Sequence, residues 1–197
     1  MKFVFCEGGD DLAVIQGVAN KMALPDLRVE EFGGKDKLRK FLREVQTRPE
    51  FSQEKVSAIA IIRDADDDGD AAFQSVCDSL RANGLQAPTK NCEFTSGHLK
   101  VGVFVIGPKG GKGMVEDLCL NSVSERPEFS CIDDYFRCIA EKSDRKHFSS
   151  KAKIRVWMAS HEDYGAHVGV AATKGYWPWD NQAFDSLKKF LQQLASL

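Results

Sequence analysis

Hydrophobic and polar positions alternate between two periods along this chain. Residues 2–6, KFVFC, form a short apolar run that ends at Glu7-Gly8-Gly9. A run of this length with β-branched and aromatic members reads as a buried strand. Leu12, Ile15, Val18 and Met22 then recur at helical spacing, opened by Asp10 and Asp11. Acidic residues at a helix start accept from free N–H groups and complement the macrodipole. A second strand is predicted over 27–32, closed by Gly33-Gly34, and a helix over 35–47 through Leu38, Phe41, Leu42 and Val45. Pro49 and Ser52 mark a loop. The third strand, Ala58 to Ile62, runs into Asp64, Asp66, Asp67, Asp68 and Asp70. A helix over 69–82 ends at Asn83-Gly84, a left-handed cap signal. Residues 100–106, KVGVFVI, are the fourth strand. The glycine-rich loop GPKGGKG follows, then a helix from Met114 containing Glu116 and Asp117.

Strict alternation of strand and helix predicts a parallel sheet covered by helices on both faces. After Pro127 the strand signal stops. Helical periods occupy 129–142, 150–160 and 181–195. The expected architecture is α/β, with a mainly parallel Rossmann-like sheet domain over 1–125. A helical extension over 126–197 packs on the same core.

Composition narrows the class. The 197 residues are 43% hydrophobic and 28% charged with net charge −2, values ordinary for a globular protein. Bulk basicity is absent, so any nucleic-acid contact must come from a local basic face. The six cysteines lack CxxC spacing and most sit within apolar runs; they read as buried small hydrophobes in a reducing compartment. With no leader-like apolar segment and no 18-residue apolar stretch, the expectation is a cytoplasmic protein without a membrane span.

The aspartate run changes the picture. Like charges this close raise one another's pKa or demand a cation. Oxygen-only ligands favour Mg²⁺ or Mn²⁺ over Zn²⁺. Ligands of open parallel sheets bind beyond the carboxyl ends of strands. Glu7 follows the first strand, Asp64 and Asp66 the third, and Glu116 opens the helix after the fourth. If the chain stays extended past Ile62, Asp64 and Asp66 project together. Carboxylates meeting at one rim could polarise a phosphate and activate water through a metal.

Glu7-Gly8-x-x-Asp11 after one strand and Asp64-x-Asp66 after another resemble the Toprim signature. The stretches RDADDDGDAAF, GMVEDL and KGYWPWDNQAFDSL resemble stand-alone Toprim-like proteins related to OLD-family nucleases. The resemblance implies a Toprim-like fold and a Mg²⁺ or Mn²⁺ site. In that site Glu7 is general base or metal ligand, and Asp11, Asp64, Asp66, Asp68 and Glu116 are metal ligands. Lys174 is a counterpart of a late catalytic lysine. It also implies a nucleic-acid substrate, DNA or RNA, and a nuclease or other phosphodiester-processing activity. The alternative is a degenerate interaction module that partners a separate ATPase; self-association is left open. Neither the zinc segment of primases nor the tyrosine-bearing domain of topoisomerases accompanies these motifs.

Competing motifs fare worse. Asp64-x-Asp66-x-Asp68-Gly69 starts like an EF-hand loop, but the twelfth position is Ser75 rather than Glu. GPKGGKG departs from the Walker pattern, with Ile106 in place of the first glycine and Gly113 in place of the hydroxyl residue. Lys109 and Lys112 in that loop remain candidates for nucleic-acid phosphate. His98, His147, His161 and His167 lack ligand spacing and read as surface or structural. Tyr176, Trp177 and Trp179 read as a seal for the last helix, or as surfaces for stacked bases.

Overall fold

The computed structural model describes residues 1–197 apart from 25, 109 and 162–166. Four parallel strands form one sheet in the order β2-β1-β3-β4: β1 Lys2–Cys6, β2 Leu27–Glu31, β3 Ala58–Asp64 and β4 Lys100–Ile106. Val4 lies opposite Val29 on one side and Ala60 on the other. The strand order reverses between β1 and β3. Their carboxyl ends therefore flank the crevice where open α/β sheets take ligands.

Alternation within the strands builds two cores. Phe3, Phe5, Ile59, Ile61, Val101, Val103 and Val105 face α2 (Leu38–Gln46) and α4 (Gly69–Ala82). Val4, Cys6, Ala58, Ala60, Ile62, Phe104 and Ile106 face the other way. There they meet α1 (Gly9–Lys21), α5 (Val115–Val123) and the later helices: α6 (Phe129–Lys142), α7 (Ser150–Ala159), α8 (Val168–Thr173) and α9 (Asp185–Ser196). Phe129, Trp157, Trp177, Phe190 and Leu194 thus share one apolar cluster with the sheet. Each large side chain buried this way contributes roughly 1.5–3 kcal/mol. Trp177 stacks on Trp157 at 4.9 Å and donates its indole N–H to Val168 O at 3.2 Å, so this ring seals the helical layer.

The outer edge of β4 is covered rather than free. Asn91 accepts from Val105 N at 2.8 Å and donates to Val105 O at 3.2 Å, imitating a neighbouring strand. Cys92 N and Thr95 N continue the pattern to Val103 O and Val101 O. Phe94 lies flat across Gly102; a β-carbon there would stand 2.3 Å from the ring. Covering an edge this way blocks strand-to-strand association.

Three local expectations change. Residues Pro49–Ser52 form a single helical turn, α3, with proline at its first position where the missing N–H costs nothing. The short α8 has weak helical propensity and no long apolar period; it is held by close packing on α1, where Gly169 approaches Gly9 O and Ala13. Of the six cysteines, Cys6, Cys77 and Cys119 are buried, but Cys92, Cys131 and Cys138 are exposed. Cys131 and Cys138 lie two turns apart on the outer side of α6, away from the buried Ile132 and Phe136.

Candidate functional site

Every aspartate and glutamate of the acidic motifs needs a partner, and their partners sort them. Asp68 is the N-cap of α4, accepting from Asp70 N and Ala71 N at 3.0 Å. Asp67 accepts from Lys112 Nζ at 2.6 Å, and that ammonium holds its carboxyl below the usual range. Asp66 pairs with Lys35 at 3.4 Å. Asp10 accepts from Gly169 N at 2.8 Å and ties α8 to α1. Asp117 accepts from Met114 N at 2.9 Å and from Ser150 Oγ, fixing the start of α5 against α7.

What remains is a buried group. Asp11, 7% exposed, uses one oxygen to accept from Gly8 N at 2.9 Å. Its other oxygen is buried with no hydrogen bond. Glu116, 8% exposed, points one oxygen at Lys151 Nζ, 3.6 Å away, and buries the other without a partner. Asp64 ends β3 and accepts from Val115 N at 3.0 Å, at the first turn of α5. Glu7 faces Arg63 Nε at 3.7 Å, and both facing atoms lack hydrogen bonds. Glu7, Asp11, Asp64 and Glu116 all line one cavity of about 740 Å³, walled by Gly33, Gly34, Lys151, His167 and Thr173.

The electrostatics follow from that crowding. Burial, then the neighbouring Asp11 and Glu116, push the Asp64 carboxyl up to about 8. Burial, reinforced by Glu7 and Glu116 and opposed by the Gly8 hydrogen bond, pushes Asp11 up to about 7. Glu7 is raised by burial, with Arg63 pulling the other way. Cys6 and Cys119, buried close to these acids, are raised far beyond any nucleophilic range, so neither supplies a thiolate.

The arrangement differs from the sequence expectation at Asp66. This residue has φ +52 and pairs in both directions with Gly113, at 3.1 and 3.2 Å. Gly113 permits that approach, because a β-carbon would stand 2.5 Å from Ile106 O. The chain therefore leaves the extended conformation after Asp64, and Asp66 turns towards Lys35 instead of lining the cavity. Lys174 is exposed at the end of α8, outside the cavity wall. Lys112 stays at the surface beside Asp67, and Lys109 lies outside the described residues.

Sequence reasoning missed Lys151, Arg63 and His167. Arg63 carried a signal: a lone cation inside the apolar strand AIAIIRD must find a partner when buried. Lys151 and His167 carried none, because only packing of the later helices brings them to the rim.

Among the described residues, no three His, Cys, Asp or Glu side chains are already gathered tightly around a common point. The donors are nonetheless all oxygen, and three of them bury an atom with no hydrogen bond among the described residues, which is the chemistry a hard divalent cation takes. Asp11, Asp64, Glu116 and Glu7 are the residues that could hold one.

No curated protein matches the sequence significantly. In structure the chain is similar to a hypothetical protein from Pyrococcus horikoshii OT3, with TM-score 0.70 and 14% identity, covering 98% of this chain and 94% of that one. It is also similar to the C-terminal region of the OLD protein of Xanthomonas campestris pv. campestris. There the TM-score is 0.52 and the identity 11%, covering 99% of this chain and 96% of that one. A second structure of the same region gives TM-score 0.51 and 12% identity, covering 99% and 93%. At such identities the likeness is one of fold. The sequence itself matches one family model over residues 1–196, and the chain belongs to that family, described as a protein of unknown function, DUF3226.

Proposed function

We propose that this chain is a Toprim-like, Mg²⁺- or Mn²⁺-dependent enzyme that cleaves or otherwise processes phosphodiesters of nucleic acid. One observation carries the reading. Asp11, Asp64 and Glu116, from three distant stretches, converge in one cavity beyond the carboxyl ends of the strands, and two of them bury oxygens without partners. Burying charge without compensation costs several kcal/mol, which a fold keeps only where something offsets it. The fold likeness to the OLD C-terminal region supports the same reading.

Asp11, Asp64 and Glu116 would hold the metal, with Glu7 as a further ligand or as the base for the attacking water. When bound, the metal supplies Lewis-acid polarisation of the phosphate. The protein contributes placement. The hydrogen bond from Val115 N fixes one oxygen of Asp64, and that from Gly8 N fixes one of Asp11, so each presents its second oxygen in a set direction. Lys151, at the cavity wall with its ammonium half exposed, neutralises charge where a phosphate oxygen would enter. Lys112, exposed on the neighbouring loop, would meet a backbone phosphate further along the strand.

A second reading rests on the separation of the carboxylates: the domain binds nucleic acid or a separate ATPase without catalysis. One experiment separates the two. Single- and double-stranded DNA and RNA are incubated with wild type and with Asp64→Ala in Mn²⁺. Cleavage that needs Mn²⁺ and falls on the order of 10²-fold in the variant supports the enzyme. Metal-dependent cleavage unchanged in Asp64→Ala removes the assignment, and salt-sensitive binding without cleavage selects the second reading.

A further inference from the structure

The acidic site divides into two halves of different charge. Asp11, Asp64 and Glu116 form one half. With every group ionised, three carboxylates face a single resident cation, Lys151, leaving −2. That lysine is itself half exposed, while Asp11 and Glu116 are more than nine-tenths buried, line the cavity and each carry an unpartnered oxygen. The other half is Glu7, at the cavity wall, and Asp66, which stands outside the lining. Two carboxylates there face two resident cations: Arg63 stands 3.7 Å from Glu7, and Lys35 stands 3.4 Å from Asp66. The formal sum is zero.

The two cations differ in kind. Arg63 is 7% exposed and anchored from behind, donating from Nη1 to Ser75 Oγ of α4 at 3.1 Å. A guanidinium cannot lose its charge, so it is a fixed +1 beneath Glu7. Lys35 is half exposed and follows directly on Gly33-Gly34, which wall the cavity. A divalent ion entering this half would meet two positive neighbours at short range. Like charges at such separations cost on the order of several kcal/mol at an effective dielectric near 20.

Resting on the metal reading above, we infer that this is a one-metal centre. The ion sits among Asp11, Asp64 and Glu116, and Arg63 with Lys35 occupy by side chain the place a second ion would take beside Glu7 and Asp66. Arg63 is then a positioning residue: it holds Glu7 at the cavity without a second metal to orient it.

Mn²⁺ binding to the whole chain tests this, read by the electron paramagnetic signal of free Mn²⁺ and by calorimetry. Wild type takes up one equivalent. Arg63→Gln, which removes the charge and leaves a neutral amide, acquires a second equivalent or tightens a weak second site at least tenfold. Lys35→Gln does the same from an exposed position where folding is not at stake. Two tight equivalents in wild type overturn the inference, and so does a stoichiometry of one in both variants. Absence of any Mn²⁺ binding overturns the metal reading and this inference with it. One bound Mn²⁺ without cleavage of any nucleic acid leaves this inference standing and removes the nuclease.

Discussion

Replacing Asp64 by asparagine stabilises the metal-free protein progressively as pH rises from 3.8 towards about 8, with the full effect at alkaline pH. In the folded chain the Asp64 carboxyl titrates at about 8 against an ordinary 3.8, chiefly because it is buried and then because Asp11 and Glu116 stand close. Between those two values the folded form holds a proton that the unfolded chain has released. Stability therefore falls as pH rises through the window, and by pH 8.5 the loss is complete. At about 1.36 kcal/mol per pH unit, one group bearing the whole displacement would cost about 6 kcal/mol. Burial is the largest cause, and the asparagine amide meets part of that cost too, so the substitution returns nearer half, about 3 kcal/mol. Asparagine keeps an oxygen for Val115 N, and its amide can donate towards the unpartnered oxygens of Asp11 and Glu116. Denaturation by urea at pH 8.5 and at pH 4 reads the effect. The expected gain at pH 8.5 corresponds to roughly 5–10 °C in Tm for a chain of this size. At pH 4 wild type is itself largely protonated and the gain nearly vanishes. A variant that is less stable at pH 8.5, or equally displaced at both pH values, refutes the account of crowded carboxylates.

The same linkage predicts that Mn²⁺ or Mg²⁺ raises the Tm of wild type more at pH 8.5 than at pH 5, where protons compete for the same oxygens; calorimetric scans with and without chelator decide it. Asp68→Ala removes the N-cap of α4 and costs about 1 kcal/mol by urea denaturation, while Mn²⁺ affinity stays within twofold because Asp68 spends its acceptor on Asp70 N and Ala71 N. Gly102→Ala drives a methyl into the Phe94 ring and costs about 1–3 kcal/mol. Adding Phe94→Leu recovers part of that loss, and additive costs in the double variant would show that the ring is not the obstacle.

Strands and acidic termini were legible because both are local. An apolar run followed by an acid announces itself: β1, β2 and β4 fall within a residue of their expected ends, and β3 runs two residues further than expected, to Asp64. The expectation of Glu7, Asp64 and Glu116 at one rim followed from sheet topology, since parallel strands deliver their exits to the same edge, whereas Asp11 entered only through the Toprim resemblance. What each acid does there was not legible. Asp66 sits two residues from Asp64, yet a left-handed backbone and a bridge to Gly113, 47 positions later, turn it away. Asp68 resembles a ligand in sequence but serves as a cap, because α4 begins at the next residue. Lys151 reaches Glu116 only through the packing of α7 on α5, a contact with no periodic signature.

These outcomes give a rule for separating functional acids from solvated ones in this chain. The run Asp64–Asp70 looks uniform, but its members differ in whether a donor is available when the backbone has settled. Asp67 and Asp68 have donors, and Asp66 has a lysine. Satisfied groups are content without a ligand, and substituting them changes local stability alone. Asp11 and Glu116 are buried, face one cavity with Asp64, and are left with oxygens that no described residue satisfies. An unsatisfied buried acceptor costs about 1–3 kcal/mol, more when charged. A fold with a parallel sheet, a seven-residue central strand and two full apolar layers has stability to spend on such a cost. That it is spent at the strand-order reversal, and nowhere on the opposite rim among the described carboxylates, is the physical reason to place the chemistry there.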